Sequence, residues 1–228
     1  MTRFATLVVW FGGVLFVTSL IVFAYTYVVV WSTPGATAVS WPNVAVDAVV
    51  FSAFAAHHSF FARERAKVVI ARYVPELLLR SFYVWTASLL FVAVLVGWRR
   101  VGGEIYHVTG QRAIAHAGVQ LFGLWLIIRA VTVIDPFELA GIRRAGKAEA
   151  LQVVGPYHWV RHPLYLGWML ALFGVANMTG DRLTFAAISS IYLVVAIRWE
   201  ERSLTRAFGG DYDAYKQQVR WRVVPYVF

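Results

Sequence analysis

Residues 4–31 read FATLVVWFGGVLFVTSLIVFAYTYVVVW. They carry no charged side chain, and none follows before Asp47. An α-helix rises about 1.5 Å per residue, so about 20 such residues cross the roughly 30 Å hydrocarbon core of a bilayer. Arg3 ahead of the run and Ala36-Thr37-Ala38 beyond it leave a cleaved signal peptide as the rival reading. A signal core is only about 7–15 residues long, so the run reads as a retained membrane helix. Pro34-Gly35 marks the turn after it.

The rest of the chain repeats this pattern. Further apolar stretches cover Asn43–Ala62, Ser81–Trp98, Ala113–Ile134, Pro163–Met178 and Leu183–Trp199. Thr179-Gly180-Asp181-Arg182 parts the last two, which read as a helical hairpin. Of 228 residues, 60% are hydrophobic and 14% charged, against about 45–50% apolar in soluble domains. The expected fold class is an all-α integral membrane protein: five to six transmembrane helices, the last two a helical hairpin, with a cytoplasmic C-terminal helical tail. Residues 1–228 read as a single membrane domain, with N-terminal helical spans over 1–134.

Charge orients this layout. With six spans, Arg3, residues 63–80, 135–162 and 201–228 share one side and hold 15 Lys and Arg, whereas the opposite loops hold four: Arg99, Arg100, Arg112 and Arg182. The positive-inside bias therefore puts both termini and the basic segments in the cytoplasm. A bacterial inner membrane with a cytoplasmic active site is the expected setting. The formal charge of +9 then reflects loops facing anionic headgroups, and no nucleic-acid partner is expected. The chain has no Cys, which excludes disulfides, thiolate metal sites and a Cys nucleophile. No metal site is expected.

Chemistry concentrates in Gly155-Pro156-Tyr157-His158-Trp159-Val160-Arg161-His162-Pro163-Leu164-Tyr165-Leu166-Gly167. Pro163 suits the first position of a helix, where its missing N–H costs nothing. Arg161 and His162 then sit at a positive helix end that suits a carboxylate or phosphate. The bland alternative is a pair of basic residues at a span boundary. Gly167, Ala171 and Gly174 form a small-residue stripe, expected to pack within the hairpin. Glu200-Glu201 closes the last span. Carboxylates are unfavourable at a helix C-terminus, so a cationic partner is expected. The hairpin would return them to Arg161-His162, giving one site with a cationic and an anionic clamp, matched to a zwitterion. Ion pairing with Arg198 or Arg202, or plain solvation, is the alternative.

R-H-P-x-Y-x-G followed some 35 residues later by E-E resembles the C-terminal core of the integral-membrane methyltransferases, among them isoprenylcysteine carboxyl and phospholipid methyltransferases. The match runs over about 150–222 and takes in Glu200-Glu201-Arg202-Ser203-Leu204, Phe208-Gly209 and Tyr212-x-x-Tyr215. The resemblance implies a cofactor-binding core there for S-adenosylmethionine, carried by Gly155, Tyr157, Val160, Arg161, His162, Pro163, Tyr165, Gly167, Glu200 and Glu201. The G-x-G tract of the phospholipid enzymes is absent; Val153-Val154-Gly155-Pro156 stands there.

His58-Ser59-Phe60-Phe61-Ala62-Arg63, Val74-Pro75-Glu76, Arg80-Ser81-x-Tyr83, Asp135-Pro136-Phe137-Glu138-Leu139 and Asn177-Met178-Thr179 are similar to the methanethiol S-methyltransferase group and its NnrU-like relatives. That implies methyl transfer to a small apolar thiol, drawn from the membrane lipid. An isoprenylcysteine carboxyl or lipid methyltransferase is the alternative, and a sterol-type reductase a further one. The reductase motif R-H-P-x-Y-x-G-E has Glu where Trp168 stands here.

His58 reads either as a substrate-side hydrogen-bonding group or as an interfacial histidine, and His57 as the latter. Arg129, inside a span, is a functional candidate by position, with snorkelling as the alternative. Tyr212, Tyr215, Arg220 and Trp221 could cover a cofactor, or form an amphipathic helix on the membrane surface.

Overall fold

The computed structural model describes residues 3–61, 64–75, 78–142 and 151–228. The basic residues Arg143, Arg144 and Lys147, and the motif positions Ala62, Arg63 and Glu76, lie outside them. In chain order the helices are α1 Arg3–Val28, α2 Trp41–Phe61, α3 Glu64–Ile70, α4 Leu79–Val96, α5 Gly110–Ile134, α6 Pro136–Leu139, α7 Pro163–Phe173, α8 Gly180–Phe208 and α9 Gly210–Gln218. Two short strands, β1 Glu104–His107 and β2 Asn177–Thr179, pair antiparallel.

Five helices are long and apolar enough to cross a membrane: α1 with the turn after it, α2, α4, α5 and α8. Large apolar side chains such as Phe4, Leu7, Ile21, Ile114, Leu121 and Ile128 point outward. In water such a surface would drive aggregation; in lipid it is the surface a spanning helix needs. The chain is an all-α, multi-pass integral membrane protein.

The chain divides into two compact units, Met1–Gly103 with Pro136–Ala145, and Glu104–Asp135 with Gly146–Phe228. In the first, α1 and α2 pack on α4. Gly12 lets the Trp85 indole lie against α1, where its Nε1 donates to the Val8 carbonyl at 3.3 Å. Asp47, buried in α2, accepts from the Arg99 backbone N–H at 2.9 Å.

In the second unit α7 runs antiparallel along α5. Gly174 lies against Gln120, Ala171 against Gly123, and Gly167 against both Gly123 and Ile127. The small-residue stripe thus packs on α5, not within the hairpin as its sequence suggested. Glycine on both helices brings backbone to backbone.

The fifth apolar stretch, Pro163–Met178, is also not one helix. α7 has 11 residues, a rise of roughly 16 Å, about half a bilayer core. Extended backbone and β2 follow, and β2 pairs with β1 ahead of α5. Such backbone is tolerated at membrane depth only where protein satisfies it. The Gln120 side chain donates to the Ala171 carbonyl at 3.1 Å, the Tyr106 hydroxyl to Val175 at 3.2 Å, the Val108 N–H to Ala176 at 2.9 Å, and Arg182 Nη1 to Asn177 at 2.6 Å.

Thr179 to Arg182, which part the last two apolar stretches, are buried. The Thr179 hydroxyl caps α8 by accepting from the Arg182 N–H at 3.4 Å, and Asp181 occupies the first turn, where the helix dipole favours a carboxylate.

Candidate active site

The 3-10 turn Gly155–His158 leads into α7. Gly155 opens it at φ +62°, a left-handed conformation that glycine adopts without strain. Pro163 takes the first helical position, and His162 is the N-cap residue. The Arg161 and His162 N–H groups donate to the carbonyls of Trp221 and Arg222 at 2.9 and 2.8 Å. The C-terminal segment is thereby tied to the α7 start.

α8 continues to Phe208, so Glu200 and Glu201 lie inside a helix and not at its end. The helix-terminus argument for a cationic partner does not apply to them, yet the partners are present. Arg161 Nε donates to Glu201 Oε1 at 2.7 Å, and His162 Nε2 lies 3.4 Å from the same oxygen. Arg161 Nη1 donates to the carbonyls of Val219 and Arg220 at 2.8 and 2.7 Å. Glu201 Oε2 faces Arg222 Nε at 3.4 Å. Glu200 accepts from the Tyr165 hydroxyl at 2.6 Å, and His162 Nδ1 lies 3.5 Å from it. The His162 and Tyr165 rings stack at 5.3 Å.

Arg161, His162, Tyr165, Glu200 and Glu201 therefore form one cluster. Arg222 and the carbonyls of 219 and 220 belong to it as well, and no motif in the sequence marks them. Burial alone would lower the His162 pKa, but its bonds to Glu200 and Glu201 outweigh this and hold it above the usual imidazole value. Arg161 Nη2 has no hydrogen-bond partner among the described residues.

α9 closes one flank. Gly209, at φ +53°, ends α8 and redirects the chain. Tyr212 and Tyr215 then face inward, 1% and 5% exposed, packed with Val219, Leu151, Val153, Leu204 and Phe208. These tyrosines line a core, so the surface-lying amphipathic helix does not describe them. The Tyr215 hydroxyl donates to the Tyr157 carbonyl at 2.8 Å. Burial pushes Tyr215 up to about 12, with Arg161 opposing and Glu201 adding. The Tyr212 hydroxyl is buried and has no hydrogen-bond partner among the described residues.

Other motif positions act through the backbone. Val160 is fully buried, and Gly167 is a helix contact. Arg129 lies exposed on α5. His58 belongs to the first unit, where the Tyr83 hydroxyl stands 2.9 Å from its Nδ1. Among the described residues no group of three or more His, Asp or Glu could hold a metal.

Comparison with known proteins fixes the family. A family model described as phospholipid methyltransferase matches residues 112–211. Methanethiol S-methyltransferase 2 of Bradyrhizobium diazoefficiens is 35% identical over 194 residues, covering 81% of this chain and 74% of that protein. The chain belongs to the methanethiol S-methyltransferase family. The Mycobacterium tuberculosis member is likewise 35% identical, over 77% of this chain and 76% of its own. Human Nurim is a more distant relative, 26% identical over 66% of this chain and 64% of its length. No solved structure matches the chain. As a member of this family the protein is a membrane methyltransferase.

Proposed function

We propose that the protein methylates a small apolar thiol such as methanethiol, giving a sulfide, with S-adenosylmethionine as methyl donor. The site would face the cytoplasm, in a bacterial inner membrane. One observation carries the donor assignment: a carboxylate pair preorganised by Arg161, His162 and Tyr165, beside unused donors on Arg161 Nη2 and the buried Tyr212 hydroxyl. This set fits a zwitterion. Glu200 and Glu201 would accept from its ammonium or ribose hydroxyls, and Arg161 Nη2 with Tyr212 would serve its acidic end. Bound there, the sulfonium supplies an electrophilic methyl group.

The protein's own task is positioning and exclusion of water. A thiol at neutral pH is already a few per cent thiolate and strongly nucleophilic, so no dedicated base is required. His58, held by Tyr83, and Arg129 stay substrate-side candidates. The acceptor assignment follows the named activity of the relatives and the aromatic-rich spans, which dissolve a small neutral thiol without dedicated polar contacts.

The test uses purified protein in nanodiscs with labelled S-adenosylmethionine and methanethiol, a farnesylcysteine analogue or a lipid amine at equal concentration. Dimethyl sulfide is the expected product by mass spectrometry. Methylation of the farnesylcysteine analogue but not of methanethiol sinks the thiol assignment. Protection by NADP and not by S-adenosylhomocysteine sinks the methyl donor.

A further inference from the structure

A cleft of about 760 Å³ opens along one face of α8, between it, Lys216 of α9 and the C-terminal segment. Its α8 wall is Val194, Ile197, Arg198, Glu201, Arg202, Thr205 and Arg206, the i, i+3, i+4 spacing of a single helical face. The wall changes character along its length. Val194 and Ile197 are apolar; Arg198, Arg202 and Arg206 follow, over about 12 Å from the first arginine to the last. Lys216 and Arg222 add two cations on the far side.

These cations are unequally engaged. Lys216 pairs with Asp213 at 2.7 Å, Arg222 faces Glu201, and Arg206 donates to the Arg202 carbonyl. The side chains of Arg198 and Arg202 have no hydrogen-bond or ion-pair partner among the described residues. Glu201, the one side-chain carboxylate on the lining, is already held by Arg161 and His162, and the carboxyl group of Phe228 accepts from the N–H groups of Arg222, Val223 and Val224. Five cations thus line the cleft, against Glu201 and the Phe228 carboxyl group, with Lys216 engaged by Asp213. A sulfonium zwitterion, itself cationic overall, is poorly matched to that field.

We propose that this cleft seats the phosphate headgroup of an anionic phospholipid, with Arg198 and Arg202 on the phosphate and an acyl chain along Val194 and Ile197. Charge selects a phosphate, and guanidinium forks match its oxygens. The apolar end of the wall selects a lipid over a soluble phosphate. The placement agrees with α8, whose apolar stretch ends where these arginines begin, at the depth where headgroups lie. The proposal is independent of the methyl acceptor and donor.

The experiment is native mass spectrometry of the full-length protein released from nanodiscs of equal phosphatidylglycerol and phosphatidylcholine. One phosphatidylglycerol retained per protomer is expected, unaffected by soluble glycerol phosphate. Arg198→Gln/Arg202→Gln is expected to cut retention at least about tenfold, the loss of charge-assisted bonds. Arg198→Lys/Arg202→Lys should keep most of it, because lysine remains a phosphate binder. Arg72→Gln/Arg99→Gln, which removes the same charge elsewhere, should keep all of it. Equal retention of both lipids, equal loss in the Arg72/Arg99 variant, or displacement by glycerol phosphate overturns the assignment.

Discussion

Arg161 Nε stands 2.7 Å from Glu201 Oε1, with the two side chains only 7% and 13% exposed. The pair joins the α7 start to the α8 carboxylates, and through Nη1 to the carbonyls of Val219 and Arg220. One guanidinium therefore holds three segments in register. Breaking such a pair from one side leaves a buried charge uncompensated, at about 3–5 kcal/mol. Glu201→Gln is expected to lower the thermal midpoint in detergent and to weaken S-adenosylmethionine binding about tenfold or more. Arg161→Met/Glu201→Leu should recover much of the stability and none of the binding. Recovery of both by the apolar pair would reduce the cluster to scaffold.

His162 carries a pH signature. Its pKa is raised in the folded state by Glu200 and Glu201 against the lowering effect of burial. A raised folded pKa gives stabilisation that is complete below the unfolded value of about 6.5 and is lost as pH rises through the folded value. Tyr215, pushed up to about 12, stays neutral over this range. The thermal midpoint should fall on raising pH from about 6.5 into the alkaline range, and His162→Gln should flatten that fall. Identical slopes in the two proteins remove His162 as its source.

The sequence announces the cluster because its motif residues sit on two short stretches, 161–165 and 200–201, with the charges that must meet. Arg222 escaped because nothing in Trp221-Arg222-Val223 distinguishes a strapped segment from a tail; its partner is set by the Arg161 and His162 N–H bonds to carbonyls 221 and 222. The strand pass at Asn177–Thr179 escaped for another reason. Pro163–Ala176 has no charged or amide side chain, and periodicity alone does not show where helix gives way to extended backbone in such a run. The glutamates were placed at a helix end because hydropathy stops at Trp199, whereas α8 runs nine residues further.

The α5–α7 contact makes a glycine comparison. A Cβ at Gly167 would stand 2.8 Å from the Gly123 carbonyl oxygen and 3.0 Å from the Ile127 nitrogen. Both are backbone atoms, so the helices must part. Gly167→Ala is expected to destabilise by about 1–3 kcal/mol, as overpacking does. Gly118, on the same helix α5, has open space around its Cβ position, and Gly118→Ala should be neutral or stabilising by up to about 1 kcal/mol. Thermal unfolding in one detergent compares them; equal midpoints would mean that α7 does not pack as closely as drawn.

The absence of native Cys makes topology directly measurable. The 15-to-4 charge split predicts that a single Cys at Arg72 or Gln217 lies on the cytoplasmic side and one at Thr109 or Gln111 on the other. All four positions are exposed. An impermeant maleimide added to intact cells should label Thr109→Cys and Gln111→Cys, and should reach Arg72→Cys and Gln217→Cys only after lysis. The reverse pattern inverts the orientation, and with it the cytoplasmic site.

Tyr212 separates a binding role from a packing one. Its hydroxyl is buried and makes no hydrogen bond among the described residues, and its ring is fixed against Tyr215 at 5.9 Å. Burying an unpaired hydroxyl costs about 1–3 kcal/mol, so a phenyl ring in the same place should fold at least as well. If the hydroxyl instead meets the methyl donor, the unpaired state exists only in the empty protein, and the cost is recovered on binding. Tyr212→Phe is therefore expected to unfold at the same or a higher temperature while binding S-adenosylhomocysteine about 3- to 10-fold more weakly, the worth of one neutral hydrogen bond. Calorimetric titration beside a melting curve reads both. A raised midpoint with unchanged affinity assigns Tyr212 to packing alone; a lowered midpoint means that the hydroxyl already has a partner in the unliganded protein.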